Sequence, residues 1–299
     1  MDKAASVLAK LQNIAKDSGR NYQLCLQLFC QEEFLRRLAV SRYADLLVLK
    51  GGLFIYTLSK FQSRTTIDVD FLLKRGSNSK EDIAAMIAEI LACDTGNEFV
   101  LFEIRGSSDI ALQRKYSGVS VQLIAKIKNT RTPITIDIGI DDVIIPNPVK
   151  RMIPSQLSEF SQPEVYTYSL ESTIAEKFDA ILQRFELTSR MKDFFDIYYC
   201  ASTYPFVGEI LKQALEATLT NRNTAYDSYS FEKIIDFINN DDMNTKWRLF
   251  LQKLKLSSPE FHVAITMLDT FLHPVFNAIL HNKPFIGIWN PTTRQWSNS

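Results

Sequence analysis

Two aspartates, Asp68 and Asp70, stand two positions apart in the run Arg64-Thr-Thr-Ile-Asp-Val-Asp-Phe-Leu-Leu. The apolar residues around them predict a strand, and because side chains alternate along a strand, both carboxylates project from the same face. Neighbouring carboxylates repel each other unless a divalent cation lies between them, and Mg²⁺ prefers such oxygen ligands together with substrate phosphates. The pair therefore predicts a Mg²⁺ site.

A glycine pair, Gly51 and Gly52, ends the apolar run that precedes these acids, and Arg64 lies between the two motifs. Glycine lets the backbone approach a phosphate closely, with its amide groups exposed as donors. A glycine pair by itself is a common turn, and an Asp-x-Asp pair by itself is a common solvated strand face. In this order the two motifs predict metal-dependent nucleotidyl transfer.

The composition describes a globular chain that is large enough to bury a core, since 46% of its 299 residues are hydrophobic. Its 34 basic and 34 acidic residues cancel, so no net positive charge indicates nucleic-acid binding, although a local basic groove is compatible with this balance. The few cysteines and histidines are scattered without metal-ligand spacing. With no signal peptide and no apolar run of about eighteen residues, we expect a cytoplasmic protein that does not contact a membrane.

Hydrophobic periodicity predicts an α+β protein, with a mixed sheet and helices in the N-terminal part and a helical C-terminal part. The predicted strand Pro133–Ile140 alternates isoleucines on one face with Asp137 and its neighbours on the other, which is typical of a sheet covered on one side. Asp137 is therefore a candidate third carboxylate. The predicted helix Tyr22–Arg37 is expected to present a solvated face of four charged residues, Glu32, Glu33, Arg36 and Arg37.

Prolines at positions 146, 148 and 154 interrupt regular structure between the two parts. They predict a boundary between a domain of residues 1–155 and a domain of residues 156–299. Two consecutive helices are predicted early in the second domain, over Leu170–Glu186 and Ser189–Thr203.

Charged residues line the apolar stripes of these two helices. Lys177 lies along the edge of the stripe on the first helix, and Arg190 and Asp193 line the edge on the second. Lys192 and Asp196 are expected to face outward as a pair. Periodicity leaves two interpretations open, because such residues are either an ordinary boundary between core and solvent or the edge of a phosphate-binding cleft.

Six segments spread over nearly the whole chain carry a family resemblance. They are Ala5-Ser-Val-Leu-Ala-Lys, Phe34-Leu-Arg-Arg-Leu, Leu49-Lys-Gly-Gly, Arg64-Thr-Thr-Ile-Asp-Val-Asp, Ala175-Glu-Lys-Phe-Asp-Ala and Arg190-Met-Lys-Asp-Phe-Phe-Asp. The last two are the more specific, because they follow the glycine pair and the Asp-x-Asp pair in the family's order. On these segments the chain resembles the AbiEii/AbiGii toxin family, nucleotidyltransferase-fold toxins of bacterial type IV toxin–antitoxin systems.

The resemblance implies a polymerase-β-like nucleotidyltransferase domain, followed by a helical domain that completes the active site. It implies active-site roles for seven residues, Lys50, Gly51, Gly52, Asp68, Asp70, Lys177 and Asp193. Lys177, with Arg64 or Arg190, is then expected to stabilise the leaving pyrophosphate. The third carboxylate, acting as base or as a further metal ligand, is then Asp137 or Asp193.

One position departs from the family pattern. Many nucleotidyltransferases of this fold follow the glycine with Ser or Thr, whereas this chain has Leu53. The triphosphate must then be held by backbone amides or by another hydroxyl, with the candidates Thr57, Ser63 and Thr65.

The resemblance also implies substrates and partners. These are a nucleoside triphosphate as co-substrate, an RNA acceptor, specifically tRNA 3′ ends, and a cognate antitoxin that need not contact the chain. The alternatives are transfer to a small molecule or to a protein hydroxyl, and a nucleotide- or RNA-binding protein without transferase activity.

Overall fold

The computed structural model of the chain describes residues 2–77, 79–110, 118–185 and 190–297. Contacts divide the chain into two compact units, the first Met1–Asp141 with Pro148–Tyr168 and the second Asp142–Asn147 with Ser169–Ser299. The first unit carries a mixed sheet and the second is mainly helical, so the predicted α+β class is confirmed.

The described part of the first unit is built on a seven-stranded sheet. In chain order the strands are β1 (Leu47–Lys50), β2 (Asp68–Leu73), β3 (Leu101–Asp109), β4 (Gly118–Ile127), β5 (Thr130–Ile140), β6 (Val149–Met152) and β7 (Glu164–Thr167). Their spatial order is β3-β4-β5-β2-β1-β7-β6, with β2 parallel to β5, β1 parallel to β7 and the other neighbours antiparallel. The acid-bearing strands β2 and β5 therefore lie at the centre, next to the strand that runs into the glycine pair.

Four helices of the described residues belong to this unit, α1 (Lys3–Ser18), α2 (Tyr22–Val40), α3 (Gly51–Leu58) and α4 (Lys80–Leu91). Helix α2 packs on the sheet, where the ring of Phe34 lies 5.8 Å from the ring of Phe71 on β2. Ile136 and Ile138 of β5 are buried, whereas Asp137 between them is half-buried. The predicted alternation along β5 is confirmed, so one face of the sheet is committed to the core.

The charged residues of α2 are buried, so the predicted solvated face is wrong. The Glu33 carboxylate accepts hydrogen bonds from Arg36 Nε at 2.8 Å and from Arg37 Nε at 3.2 Å. The stretch Cys25–Leu38 is buried at every position, so α2 is covered all round and its charges must pair with one another. Burial raises the pKa of the Glu32 carboxyl to about 7.

Helices dominate the described part of the second unit: α5 (Leu170–Leu182), α6 (Met191–Thr203), α7 (Gly208–Asn221), α8 (Ser230–Ile235), α9 (Asp241–Lys253) and α10 (Phe261–Leu280). A 3₁₀ turn at Asp236–Asn239 follows α8 directly. Three short strands, β8 (Phe206–Val207), β9 (Ile288–Asn290) and β10 (Gln295–Ser297), form a small antiparallel sheet. Helices α5 and α6 match the two predicted helices, whose expected ends at Glu186 and Ser189 lie outside the described residues.

Helix α10 is long and apolar enough to cross a membrane by length and composition alone. However, 56% of its most apolar eighteen-residue window is buried inside the protein. Phe271 in this helix stacks on Trp296, with the ring centroids 5.7 Å apart. Because the core helix of a soluble protein passes the same test, α10 is weak evidence for a membrane span.

We expect Glu33→Gln to destabilise the protein far more than Glu89→Gln. The Glu33 carboxylate is buried between two arginines. Removing its charge leaves Arg37 without a carboxylate partner and Arg36 with only the 3.7 Å pair to Glu32, at a cost of about 3–5 kcal/mol. Glu89 pairs with Arg42 at 2.7 Å on the surface, where an ion pair contributes little. Unfolding in denaturant, followed by circular dichroism, measures both losses, and equally small losses would show that the buried network adds nothing to stability.

Candidate active site

Lys50, Asp70 and Asp137 lie in one row across three neighbouring strands. Lys50 of β1 is the register partner of Asp70 of β2, and Asp70 is in turn the register partner of Asp137 of β5. Register partners project from the same face, and Asp68 shares this face because it lies two residues before Asp70. The sheet thus presents three half-buried carboxylates and one lysine on a single face.

Gly51 packs directly against the carboxylate of Asp70. A Cβ at position 51 would lie 2.7 Å from Asp70 Cγ, which is closer than real side chains tolerate. Gly51 also has a φ of 68°, in the left-handed region that favours glycine. Both constraints require glycine here, because only glycine lets the first residue of α3 pass against the acid.

Gly52 leaves room for the segment that precedes β2. A Cβ at this position would lie 3.0 Å from Thr66 Oγ1 and 3.2 Å from Nη2 of Arg64. A hydroxyl and a guanidinium therefore lie beside the glycine turn, where α3 begins. The first amides of a helix have no partners within the helix, so this is a place where a phosphate can be bound.

Leu53 stands where many nucleotidyltransferases of this fold have Ser or Thr, and it has a role in the core, since it is fully buried. Thr57 does not take over as a free donor, because its hydroxyl donates to the Phe54 carbonyl at 3.0 Å. Thr66 places a hydroxyl beside Gly52 instead, where its hydrogen bond to the Asp68 carbonyl is long, at 3.5 Å; sequence reasoning missed this residue. The available signal was its position between Arg64 and Asp68, in the segment that links the glycine turn to β2.

Two buried glutamines hold the start of β2, and sequence reasoning missed both. Gln27 and Gln31 of α2 donate their side-chain amides to the carbonyl of Ile67, at 3.1 Å and 2.7 Å. Ile67 directly precedes Asp68, so this carbonyl fixes the backbone from which the first acid projects. The signal was the four-residue spacing of the two amides on an otherwise apolar helix face.

The predicted residues of α5 and α6 form a buried ion network. Lys177 Nζ lies 2.5 Å from Asp196 Oδ2 and 3.3 Å from Asp193 Oδ1. Arg190, just before α6, places its Nε 2.6 Å from Asp193 Oδ2. The expectation that Lys192 and Asp196 face outward as a pair is wrong for Asp196, which is buried because α5 covers this side of α6 and brings an ammonium to it.

A second buried network, also missed from the sequence, holds α5 in place. Arg222 contacts Asp179 Oδ2 through Nη1 at 2.9 Å and Asp142 Oδ2 through Nη2 at 2.8 Å. All three side chains are almost fully buried. Asp179 belongs to the same family segment as Lys177, so that segment places one charged residue in each network. The aspartate in the segment was visible, but its partner Arg222 lies 43 residues away.

The two groups of residues belong to different units, and their convergence on one cleft remains a prediction. Within the described ranges, no three His, Cys, Asp or Glu side chains form a cluster that could hold a metal by itself. Asp68 and Asp70 nevertheless fit Mg²⁺, which is commonly held by one or two carboxylates together with the phosphates of a substrate. Both acids are half-buried, so such a substrate can reach them.

Comparisons with solved structures support the fold. The chain is similar to MenT4, the nucleotidyltransferase toxin Rv2826c from Mycobacterium tuberculosis H37Rv, with a TM-score of 0.53, 16% identity, and coverage of 91% of this chain and 99% of that chain. A second likeness is to JHP933 from Helicobacter pylori, with a TM-score of 0.47, 13% identity, and coverage of 88% and 98% of the two chains. At these identities the likeness shows the fold alone, and only the first is close enough to support it.

Comparison of sequences identifies the family. A search of curated proteins found no significant match. The family described as "Nucleotidyl transferase AbiEii toxin, Type IV TA system" matches residues 33–282, which is most of the chain and includes every predicted site residue. The chain therefore belongs to the AbiEii family, the nucleotidyltransferase toxins of type IV toxin–antitoxin systems.

Proposed function

We propose that this nucleotidyltransferase holds Mg²⁺ with Asp68 and Asp70 and transfers a nucleotide from a nucleoside triphosphate to RNA, at tRNA 3′ ends. The observation that carries the proposal is the row of Lys50, Asp70 and Asp137 beside the glycine turn. Family membership supports the triphosphate, and the resemblance to relatives that act on RNA supports the acceptor. A cognate antitoxin is the expected partner in the cell, with no need for direct contact.

Each residue of the first group has a defined part in this reaction. The amides at Gly51 and Gly52, together with Arg64, bind the phosphates. Lys50 offsets the repulsion among the carboxylates before substrate arrives. Bound Mg²⁺ would supply charge neutralisation at the phosphates. The acceptor hydroxyl gives its proton to Asp137 as its oxygen bonds to the α-phosphorus, and pyrophosphate leaves.

Asp137 fits the role of third carboxylate better than Asp193 does. Asp137 is the register partner of Asp70, whereas Asp193 is buried in ion pairs with Lys177 and Arg190. Asp193 is therefore assigned to orienting these two cations, which would stabilise the departing pyrophosphate. This assignment requires that the two groups converge on one cleft.

Labelled nucleoside triphosphates test the activity. We expect the wild-type protein, incubated with each labelled triphosphate, Mg²⁺ and total RNA, to yield labelled tRNA. Asp70→Asn should lower the rate about 1000-fold, because metal-assisted charge stabilisation amounts to several kcal/mol and about 1.4 kcal/mol is a factor of ten. Asp17→Asn, at an exposed position of α1, is the control and should not change the rate.

Three outcomes of this assay would contradict the proposal. Transfer by Asp70→Asn at the wild-type rate would remove the metal role of this residue. Label in a protein or in a small molecule, with none in RNA, would replace the acceptor. Growth inhibition that persists in Asp70→Asn without any transfer would favour a binding protein.

Substitution of Lys177 tests the second group. Lys177→Ala should lower kcat by about 100- to 1000-fold with a smaller change in KM for the triphosphate, if the ammonium acts mainly on charge that develops in the transition state. Because the alanine leaves Asp196 buried without this cation, circular dichroism must first show that the variant folds. Lys177→Arg keeps the charge, but we expect only partial rescue, because a planar guanidinium does not replace a compact ammonium.

The control for this series is Lys253→Ala, which removes an exposed lysine from the last turn of α9. It should retain wild-type kinetics. If Lys177→Ala changed kcat and triphosphate affinity equally, Lys177 would be a phosphate anchor rather than a stabiliser of the transition state.

We expect Gln31→Met to weaken the response to Mg²⁺. The substitution keeps the side-chain length but removes a hydrogen bond to the Ile67 carbonyl, a loss of about 1 kcal/mol that loosens the backbone before Asp68. Titration of activity with Mg²⁺ should show a several-fold higher half-saturating concentration, whereas Gln23→Met at an exposed position of the same helix should not. An unchanged Mg²⁺ titration would show that Gln31 serves only the stability of the unit.

A further inference from the structure

A cavity of about 440 Å³ opens in the first unit at the C-terminal end of α3. Its wall on one side is formed by α3, including Phe54, and by Lys60 just beyond the helix. The other side is formed by β6 and the residues that follow it, including Arg151 and Met152. The charged side chains among the described residues that line this cavity are Lys60 and Arg151, and none of its lining residues is acidic.

The two cations are held differently. Arg151 is fixed on the wall, since its Nη1 donates to Thr167 Oγ1 at 2.5 Å and its guanidinium lies 5.7 Å from the centre of the Phe54 ring. Lys60 is exposed, and no ion pair joins it to the described residues. One positive charge is therefore preorganised and the other can move to meet a ligand, an arrangement suited to an anion.

The rest of the lining is largely apolar. Phe54 and Ile153 are buried, and Met152 has 56% of its surface exposed beside them. Ligand cavities commonly measure about 300–1,000 Å³ and combine such apolar walls with a few polar groups. A ligand with a flat, weakly polar part and a single negative charge matches this combination, and a nucleotide within a phosphodiester strand has both features.

A free nucleoside triphosphate is a poorer match. Its phosphates are bound together with Mg²⁺, which requires carboxylate or other hard oxygen ligands from the protein. The cavity supplies no carboxylate, whereas the Asp68 and Asp70 face does. The cavity therefore suits an anion without a bound metal, whereas the Asp68 and Asp70 face suits phosphates that carry Mg²⁺.

The cavity and the glycine turn lie at opposite ends of one short helix. Helix α3 has eight residues, so its ends are about 12 Å apart. Thr167, which lines the cavity, directly precedes Tyr168, whose ring centre lies 5.3 Å from Lys50 Nζ. A strand of a few nucleotides can span this distance along the first unit.

We propose that this cavity binds one nucleotide of the RNA acceptor strand, upstream of the hydroxyl that receives the new nucleotide; the assignment rests on the proposed function. Lys60 contacts the phosphodiester, Arg151 contacts the same phosphate or the base edge, and Met152, which is exposed at the cavity wall, covers the base. The cavity is a subsite for the acceptor and takes no part in the chemical step.

Lys60 has one competing explanation. A helix C-terminus carries partial negative charge that attracts cations, and Lys60 donates its backbone amide to the Thr57 carbonyl at 3.0 Å. Arg20 also donates to the Phe61 carbonyl at 3.1 Å, at the same end of α3. If Lys60 served only the helix, its substitution would change stability and leave RNA binding intact.

Binding of a short, fluorescently labelled single-stranded RNA to the full chain, measured by anisotropy without triphosphate or Mg²⁺, tests the proposal. Lys60→Asn removes the charge and suits the φ of 51° at this position, because asparagine tolerates left-handed backbone. Arg151→Gln removes the second charge and keeps a donor for Thr167. Lys16→Asn, at an exposed position of α1, is the control.

We expect Lys60→Asn and Arg151→Gln each to weaken RNA binding several-fold. Each should also flatten the dependence of log affinity on log salt by about 0.7, the value for one phosphate contact on a single strand. In the transfer assay the same variants should raise KM for RNA and leave KM for the triphosphate and kcat at saturating RNA unchanged. Lys16→Asn should match the wild type.

Other results would overturn the subsite. These are unchanged RNA binding by both variants, a change confined to KM for the triphosphate, or a lower melting temperature with intact RNA binding. Failure of the proposed function is distinguishable, because a wild-type protein that labels no RNA but binds RNA through Lys60 and Arg151 keeps the subsite and loses the reaction.

Discussion

The register of β1 against β2, and of β2 against β5, is the constraint on which the candidate site depends. It places Lys50, Asp70 and Asp137 in one row, and a slip of one residue in β2 would turn both of its acids toward the core. The contact between Gly51 and Asp70 is a second constraint on this register, in addition to the hydrogen bonds between the strands. Helix α3 can follow β1 directly only because residue 51 has no Cβ to collide with Asp70. The strand register and the position of the Asp70 carboxylate against Gly51 therefore depend on each other.

Each unit also contains a network of buried charged side chains. Glu33 lies between Arg36 and Arg37 in the first unit, and Arg222 lies between Asp142 and Asp179 in the second. Buried ions lose their hydration, so these groups are tolerable only where each charge is paired and hydrogen-bonded. Such networks have few alternative arrangements. Each charge keeps its partner only in the packing seen here, so removing one member leaves the other buried without its counter-charge.

Local pattern was sufficient to predict the elements that bear the first group of site residues. The alternation along β5 and the Asp-x-Asp spacing each report which face a side chain occupies, and the glycine pair reports a backbone requirement. Pattern failed where a second element decides what is covered. The charges of α2 and Asp196 look solvated when each helix is considered alone. They are buried by other parts of the chain, among them Asn97 beside Glu33, Ser155 beside Glu32 and Lys177 beside Asp196. Strands of two to four residues, such as β8 and β6, are too short to show a period.

The path of the chain makes each unit discontinuous in sequence. After β5 the chain contributes Asp142–Asn147 to the second unit, returns to the first for β6 and β7, and leaves again at Ser169. The sheet needs β7 as the parallel neighbour of β1, and Asp142 is a partner of Arg222 far downstream. No single cut of the polypeptide therefore separates the two units from each other, because any cut leaves a segment of one unit attached to the other. During synthesis on the ribosome, the edge of the sheet next to β1 stays open until residues of β7 have emerged, so the strand that leads into the glycine turn is among the last to be enclosed.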